Sequence, residues 1–204
     1  MGAVSHEIRN VCGAIAVVHQ SLSRNEQLEL DKDFEALGNL VVALERIAAV
    51  DLRPYPEQAN EVDLLALLDD LRIVIAPSLE DKDIHCTWTL DPELPLVWAD
   101  GTNLMQVFLN LTTNSIRTLA ERAPERSMAI SAKVEGQRVT VEVLDNGGGV
   151  AQPNELFRPF QTGAHNTGLG LYLARAFARS FGGDLRYQPL PGSACFVVEL
   201  APVR

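Results

Sequence analysis

The chain has 204 residues, 47% hydrophobic and 22% charged, the ordinary range for a globular protein with one or two cores. Its 27 acidic and 17 basic residues give a formal net charge of -10, which excludes the basic footprint of a nucleic-acid binder and disfavours an anionic membrane surface. No apolar run approaches the roughly 18 residues of a spanning helix, Ser5-His6-Glu7 interrupts any leader-like apolar core, and Cys12, Cys86 and Cys195 lack metal or disulfide spacing.

In chain order, Val4, Ile8, Val11, Ile15, Val18 and Leu22 recur in four- and three-residue steps, a heptad seam on one helix. After a polar break from Ser23 to Lys32, Phe34, Leu37, Val41, Leu44 and Ala48 repeat the pattern. Two such helices form an antiparallel hairpin. Its stripes are covered either by a second hairpin, giving a dimeric four-helix bundle, or by the rest of the same chain. Arg53-Pro54-Tyr55-Pro56 ends the second helix, because proline lacks the amide donor and disfavours helix at the residue before it. A domain boundary is expected there, with residues 1–53 as hairpin, 54–60 as linker and 61–204 as a second domain.

The second domain alternates helix and strand. A short extended start leads into an amphipathic helix over Val62–Leu79, then strands are expected at Ile84–Leu90 and Leu96–Trp98. Asn103–Arg122 reads as a helix with Leu104, Val107, Phe108, Leu111 and Ile116 on its apolar side. Met128–Val134 and Arg138–Leu144 form a hairpin around Glu135-Gly136-Gln137. Pro153–Asn166 is loop-rich, Gly168–Ser180 is helical, and Asp184–Tyr187 with Ala194–Leu200 close the chain as strands. Antiparallel hairpins mixed with helices predict an α+β layer rather than a doubly wound sheet.

Three stretches carry chemistry. Asn110 and Asn114 stand four apart and share one helix face, either beside a cleft or toward water. An amide oxygen is a hard neutral ligand that suits Mg2+, which takes its other ligands from water and phosphates. Arg117 lies on the same side and suits a phosphate. Asp145 ends the alternating strand Val139, Val141, Val143, where a buried carboxylate needs a donor such as the amine of adenine. Gly147 and Gly149 would let the backbone pass under a flat base; the alternative is an Asp-Asn-Gly turn with no ligand. Thr167-Gly168-Leu169-Gly170 opens a helix whose first amides can hold a triphosphate, or is capped simply by Thr167. Eight of the 14 glycines fall between Gly147 and Gly183, the pattern of a backbone that approaches a ligand or of a flexible loop. Upstream, His6 sits beside Glu7, a plausible phosphoryl acceptor next to a carboxylate.

In this order the stretches resemble the motif boxes of sensor histidine kinases of two-component systems. His6-Glu7 with Arg9 and Asn10 resembles the H box, Asn110–Asn114 the N box, and Asp145, Gly147 and Gly149 the G1 box. Leu156–Phe160 resembles the F box and Thr167–Leu171 the G2 box. The resemblance implies a helical hairpin forming a dimeric four-helix bundle, followed by a Bergerat-type (GHKL) α/β sandwich that binds ATP and Mg2+. It implies that His6 accepts the γ-phosphoryl group, that Glu7 orients and deprotonates it, and that Asn10 positions water for dephosphorylating the partner. Asn114 would ligate Mg2+, Asp145 would bind the adenine amine, and Asn110, an amide where related ATPases carry a glutamate, would keep hydrolysis slow. The implied partners are the receiver domain of a response regulator, a second copy of the chain, and an upstream sensor domain, since only five residues precede His6. The implied location is cytoplasmic.

The sequence departs from the family pattern at Val11, Thr118, Asn166 and Cys195, and the passage Gln161–Asn166 is short. Thr118 replaces an aromatic residue, and Cys195 takes a place often held by threonine near the adenine carboxylate. Two other readings stay open: a phosphotransfer module that does not bind ATP, and a serine-directed anti-sigma-type kinase on the same sandwich.

Overall fold

A computed structural model describes residues 59–122, 125–158 and 169–203, together with Ile15 and Leu22. The expected hairpin, with His6, Glu7 and Asn10, lies outside the described residues except for those two positions. The first strand, β1, covers Asn60–Val62 and so begins on the last residue of the expected linker.

Helix α1 runs Leu64–Asp81. Asp63 starts it, its Oδ1 accepting the Ala66 amide at 3.1 Å. Leu64, Leu67, Leu68, Leu71, Ile75 and Leu79 recur on one face and are buried. The helix ends where Asp83 takes a left-handed φ of 52°. The amides of Asp83 and Ile84 turn back onto the carbonyls of Glu80 and Leu79, a paired closure usually built on glycine.

Strands β2 (His85–Leu90) and β3 (Val97–Ala99) follow. β1 pairs antiparallel with β3, and β3 also receives the chain end: Trp98 donates to the Ala201 carbonyl and Val203 to the Leu96 carbonyl. Helix α2 covers Gly101–Arg122, beginning two residues before the expected Asn103. Asp100 explains the difference: it is buried, and its two carboxylate oxygens accept the Asn103 amide and the Asn103 side chain at 3.0 and 3.1 Å.

β4 (Ser127–Glu135) and β5 (Arg138–Asp145) form the expected hairpin. A single 3-10 turn at Pro153–Glu155 precedes helix α3, Gly170–Ser180, and the strands β6 (Asp184–Leu190) and β7 (Ser193–Leu200) complete the fold. The main sheet has the order β2-β4-β5-β7-β6. One pairing, β2 with β4, is parallel and the other three are antiparallel. The parallel pair needs α2 as its crossover, a long-range relation that hairpin signals do not encode.

Strand alternation sorts the sheet into two faces. Met128, Ile130 and Ala132 of β4, Val139, Val141 and Val143 of β5, and Phe196, Val198 and Leu200 of β7 join the helices in one core. On the other face Lys133 pairs with Glu142 at 3.3 Å and Arg186 with Glu199 at 2.8 Å. The two-residue period that buries Val139, Val141 and Val143 also turns Asp145 toward the helices. Among the described residues, no helix is long and apolar enough to cross a membrane.

Candidate nucleotide site

The site follows one edge of α2. Leu104, Val107, Phe108, Leu111 and Leu119 are fully buried on the adjoining side of that helix. This fixes a stripe formed by Asn110, Asn114 and Thr118, each one turn from the next. From the first to the last it extends about 12 Å at the rise of an α-helix.

At one end stands α3. The cap position of α3 is Leu169, which makes no side-chain cap bond, and Gly170 behind it is exposed. A side chain at Gly170 would begin 3.8 Å from Asn110 Oδ1, so the amide of Asn110 lies against the first turn of α3. Asn110 Oδ1 accepts a bond from Gln106 Nε2 at 3.2 Å, while its Nδ2 is buried with no hydrogen-bond partner among the described residues. A buried donor without an acceptor is costly, and an anion or ligand oxygen would satisfy it. Thr167 and Gly168, the first half of the expected anion-binding stretch, lie outside the described residues.

One turn further, Asn114 Oδ1 accepts Arg117 Nη2 at 2.8 Å. The two residues expected to meet metal and phosphate are thus bonded to each other. A cation at the second lone pair of this oxygen would repel the Arg117 guanidinium, and a phosphate offers it a charged acceptor in exchange. Among the described residues no cluster of three or more His, Cys, Asp or Glu is positioned for a metal; a cation at Asn114 would gain one neutral oxygen from it.

At the far end Asp145 is 2% exposed. Ser115 Oγ donates to its Oδ2 at 2.6 Å and the Gly147 amide to its Oδ1 at 3.0 Å. Burial raises the Asp145 pKa above the ordinary carboxylate value, and these two bonds pull it partly back. Two donors leave about half of the carboxylate's roughly four acceptor sites open to an additional donor. Ser115 was not a sequence candidate. Its spacing on α2 marks it only as a core-facing polar residue, and its partner lies 30 positions away.

The glycines of the following turn have distinct reasons. A Cβ on Gly147 would stand 2.7 Å from Thr118 Cγ2 and 3.0 Å from Asp145 Oδ1. Thr118, whose hydroxyl donates to the Asn114 carbonyl at 2.9 Å, therefore packs its methyl directly on Gly147. Gly149 has a left-handed φ of 76°, and a Cβ there would lie 3.1 Å from the Ser193 carbonyl oxygen. Asn146 binds β5 to the start of β4: its Oδ1 accepts the Ser127 amide and its Nδ2 donates to the Glu125 carbonyl.

Cys195 is not the neighbour of Asp145. The register sets Ala194 opposite Asp145 and Cys195 opposite Leu144, and a one-residue step puts Cys195 on the other sheet face. Alanine offers no hydroxyl, which leaves Ser115 as the hydroxyl donor to this carboxylate. In the stretch resembling the F box, Leu156 is buried and Phe157 lies under the Arg175 guanidinium, 4.6 Å from its ring centre. Pro159 and Phe160 lie outside the described residues, as do Val11 and Gln161–Asn166.

The family model described as "Histidine kinase-, DNA gyrase B-, and HSP90-like ATPase" matches residues 99–204. The signal transduction histidine-protein kinase AtoS of Escherichia coli is 27% identical over 100% of this chain and 34% of its own length. The C4-dicarboxylate transport sensor protein DctB of Pseudomonas aeruginosa is 30% identical over 98% of this chain and 35% of its own length. The chain thus spans about a third of the length of these curated relatives. Full-length ShkA, solved in complex with AMPPNP, matches with a TM-score of 0.72 and 25% identity over 98% of this chain and 45% of that one. The Acinetobacter baumannii histidine kinase AdeS shares the fold at a TM-score of 0.68 and 21% identity, covering 98% of each chain. The chain is similar along its whole length to sensor histidine kinases, and with half of it matched by the family model it belongs to the histidine kinase-, DNA gyrase B- and HSP90-like ATPases.

Proposed function

We propose that the chain is the kinase core of a two-component sensor: it binds Mg-ATP along the α2 edge, phosphorylates His6, and passes the phosphoryl group to an aspartate of a response regulator receiver domain. The observation that carries this reading is the buried Nδ2 of Asn110, without a partner among the described residues, beside the first turn of α3, together with the half-satisfied carboxylate of Asp145 at the end of β5, held by Ser115 further along α2. One end suits phosphate oxygens and the other suits an exocyclic amine. The AMPPNP complex of ShkA supports the choice of ligand.

In this reading Asp145 accepts the amine of adenine, and Gly147 and Gly149 leave room for the base. Asn114 holds the metal, while Arg117 and the α3 amides from Gly170 bind phosphate, with Thr167, Gly168 and Leu169 assigned to the same stretch. Bound Mg2+ would neutralise charge on the phosphate oxygens during transfer. Glu7 takes the proton from the His6 imidazole. The ring nitrogen then forms the bond to phosphorus as the bond to the β-phosphate oxygen breaks, and ADP leaves with that electron pair. Asn110 is an amide and cannot deprotonate water, which keeps hydrolysis slow. Asn10 is assigned to positioning water for phosphatase activity on the partner. Residues 1–53 serve as the dimerising hairpin, 54–60 as linker and 61–204 as the ATP-binding domain. Ile15 and Leu22, one heptad apart, are both helical and 39% and 47% exposed in the single chain, which favours a homodimer whose seam covers them. A cytoplasmic location fits an ATP donor and a receiver-domain partner, and an upstream sensor domain completes the proposal.

The test is incubation with Mg2+ and γ-labelled ATP. Acid-labile label on the chain, lost in His6→Gln, is the expected result. Label that survives this substitution points to a different acceptor and overturns the histidine route.

A further inference from the structure

The turn after β5 is held from two sides. On one side Gly147 lies against Thr118 of α2. On the other, three consecutive residues meet the β6–β7 hairpin: the Gly148 amide donates to the Gly192 carbonyl at 3.3 Å, Gly149 approaches the Ser193 carbonyl, and the Val150 amide donates to the Tyr187 hydroxyl at 3.3 Å. Gly148 and Gly149 both have left-handed φ, 93° and 76°, so this short stretch of backbone has much freedom to lose. The Tyr187 ring is itself fixed against Phe196, with centroids 5.5 Å apart and planes tilted by 54°. Gly192, Ser193 and Tyr187 belong to none of the motifs.

We infer that the β6–β7 hairpin is a positioning element for the nucleotide site and that Tyr187 is its positioning residue. The inference rests on the nucleotide reading above. The Tyr187 hydroxyl gives the Val150 amide an acceptor and holds the turn in one conformation before any ligand arrives. A turn already ordered loses less freedom on binding, so affinity rises without a new contact to the ligand. The ring and the hydroxyl separate the two roles of this side chain: the ring packs in the fold, and the hydroxyl acts on the turn.

Tyr187→Phe keeps the ring and removes only the hydroxyl. The expected result, in the whole chain, has three parts: Kd and KM for ATP rise roughly threefold to tenfold, as for loss of one neutral hydrogen bond; kcat at saturating ATP is unchanged; and amide exchange at 148–150 accelerates without nucleotide while Tm moves by no more than about 2 °C. A purely structural role for the side chain would shift Tm and leave the split between KM and kcat unmoved. Unchanged ATP affinity in Tyr187→Phe, or unchanged exchange at 148–150, overturns the inference while an unmodified chain that binds ATP preserves the nucleotide reading. An unmodified chain that fails to bind ATP overturns both.

Discussion

Two aspartates at the ends of strands show how this domain separates structure from chemistry. Asp184, at the start of β6, is bonded by Arg175 Nε at 3.1 Å and Arg179 Nε at 2.9 Å, and by the Leu185 amide. Partial burial pushes its pKa up, but the two guanidinium groups and the amide outweigh it and bring the value down to about 2. Asp145, at the end of β5, is more deeply buried and has only a hydroxyl and an amide, so burial wins and its pKa is raised. The first carboxylate is saturated and clamps α3 to the sheet. The second is left short of donors and its pKa is raised, the condition expected where a ligand completes the bonding.

The largest effect should come from the metal end of the stripe. Asn114→Ala is expected to abolish measurable Mg-ATP binding, and near-normal affinity by calorimetry would refute the assignment. Gly147→Ala is expected to cost about 1–3 kcal/mol of stability, because its methyl would meet the Thr118 methyl and the Asp145 oxygen. Adding Thr118→Ser removes that methyl and should recover part of the loss. A denaturant series on the two single variants and the double variant checks this; strict additivity would show that the contact is not the cause.

The two carboxylates should also differ in sign against pH. A raised pKa means that the folded state holds its proton more tightly than the unfolded chain. The Asp145 contribution therefore falls as pH rises from the ordinary value of 3.8 through the raised one. Asp145→Asn should flatten that fall in the nucleotide-free protein. The Asp184 contribution runs the other way: it is present above 3.8 and lost as pH drops toward about 2. Asp184→Asn should remove acid sensitivity in that window, a small effect because the pair is partly solvated, and should leave ATP affinity unchanged. Thermal melts across pH for both variants decide it; parallel profiles would erase the distinction.

Local patterns carried much of this in the sequence. The α2 stripe follows from helical spacing, since the apolar residues fix the side on which Asn110 and Asn114 stand. The inward aim of Asp145 follows from strand alternation through Val139, Val141 and Val143. The contacts that depend on register or on distant partners were not legible. Ser115 meets Asp145 only because α2 lies over the end of β5, and one residue of register decides whether Ala194 or Cys195 stands opposite the carboxylate. The parallel pairing of β2 with β4 leaves no local mark, and the two bonds by which Asp100 starts α2 depend on its geometry with Asn103. Tyr187 reads as an ordinary strand aromatic and gains its role only where β6–β7 folds against the turn.

Calorimetric titration of ATP into the intact chain and into Asp145→Ala tests the central claim most directly. Saturable binding by the intact chain, weakened about 100-fold in the variant, is the result expected if this buried carboxylate anchors the base. Equal affinities, with both proteins folded, would contradict it.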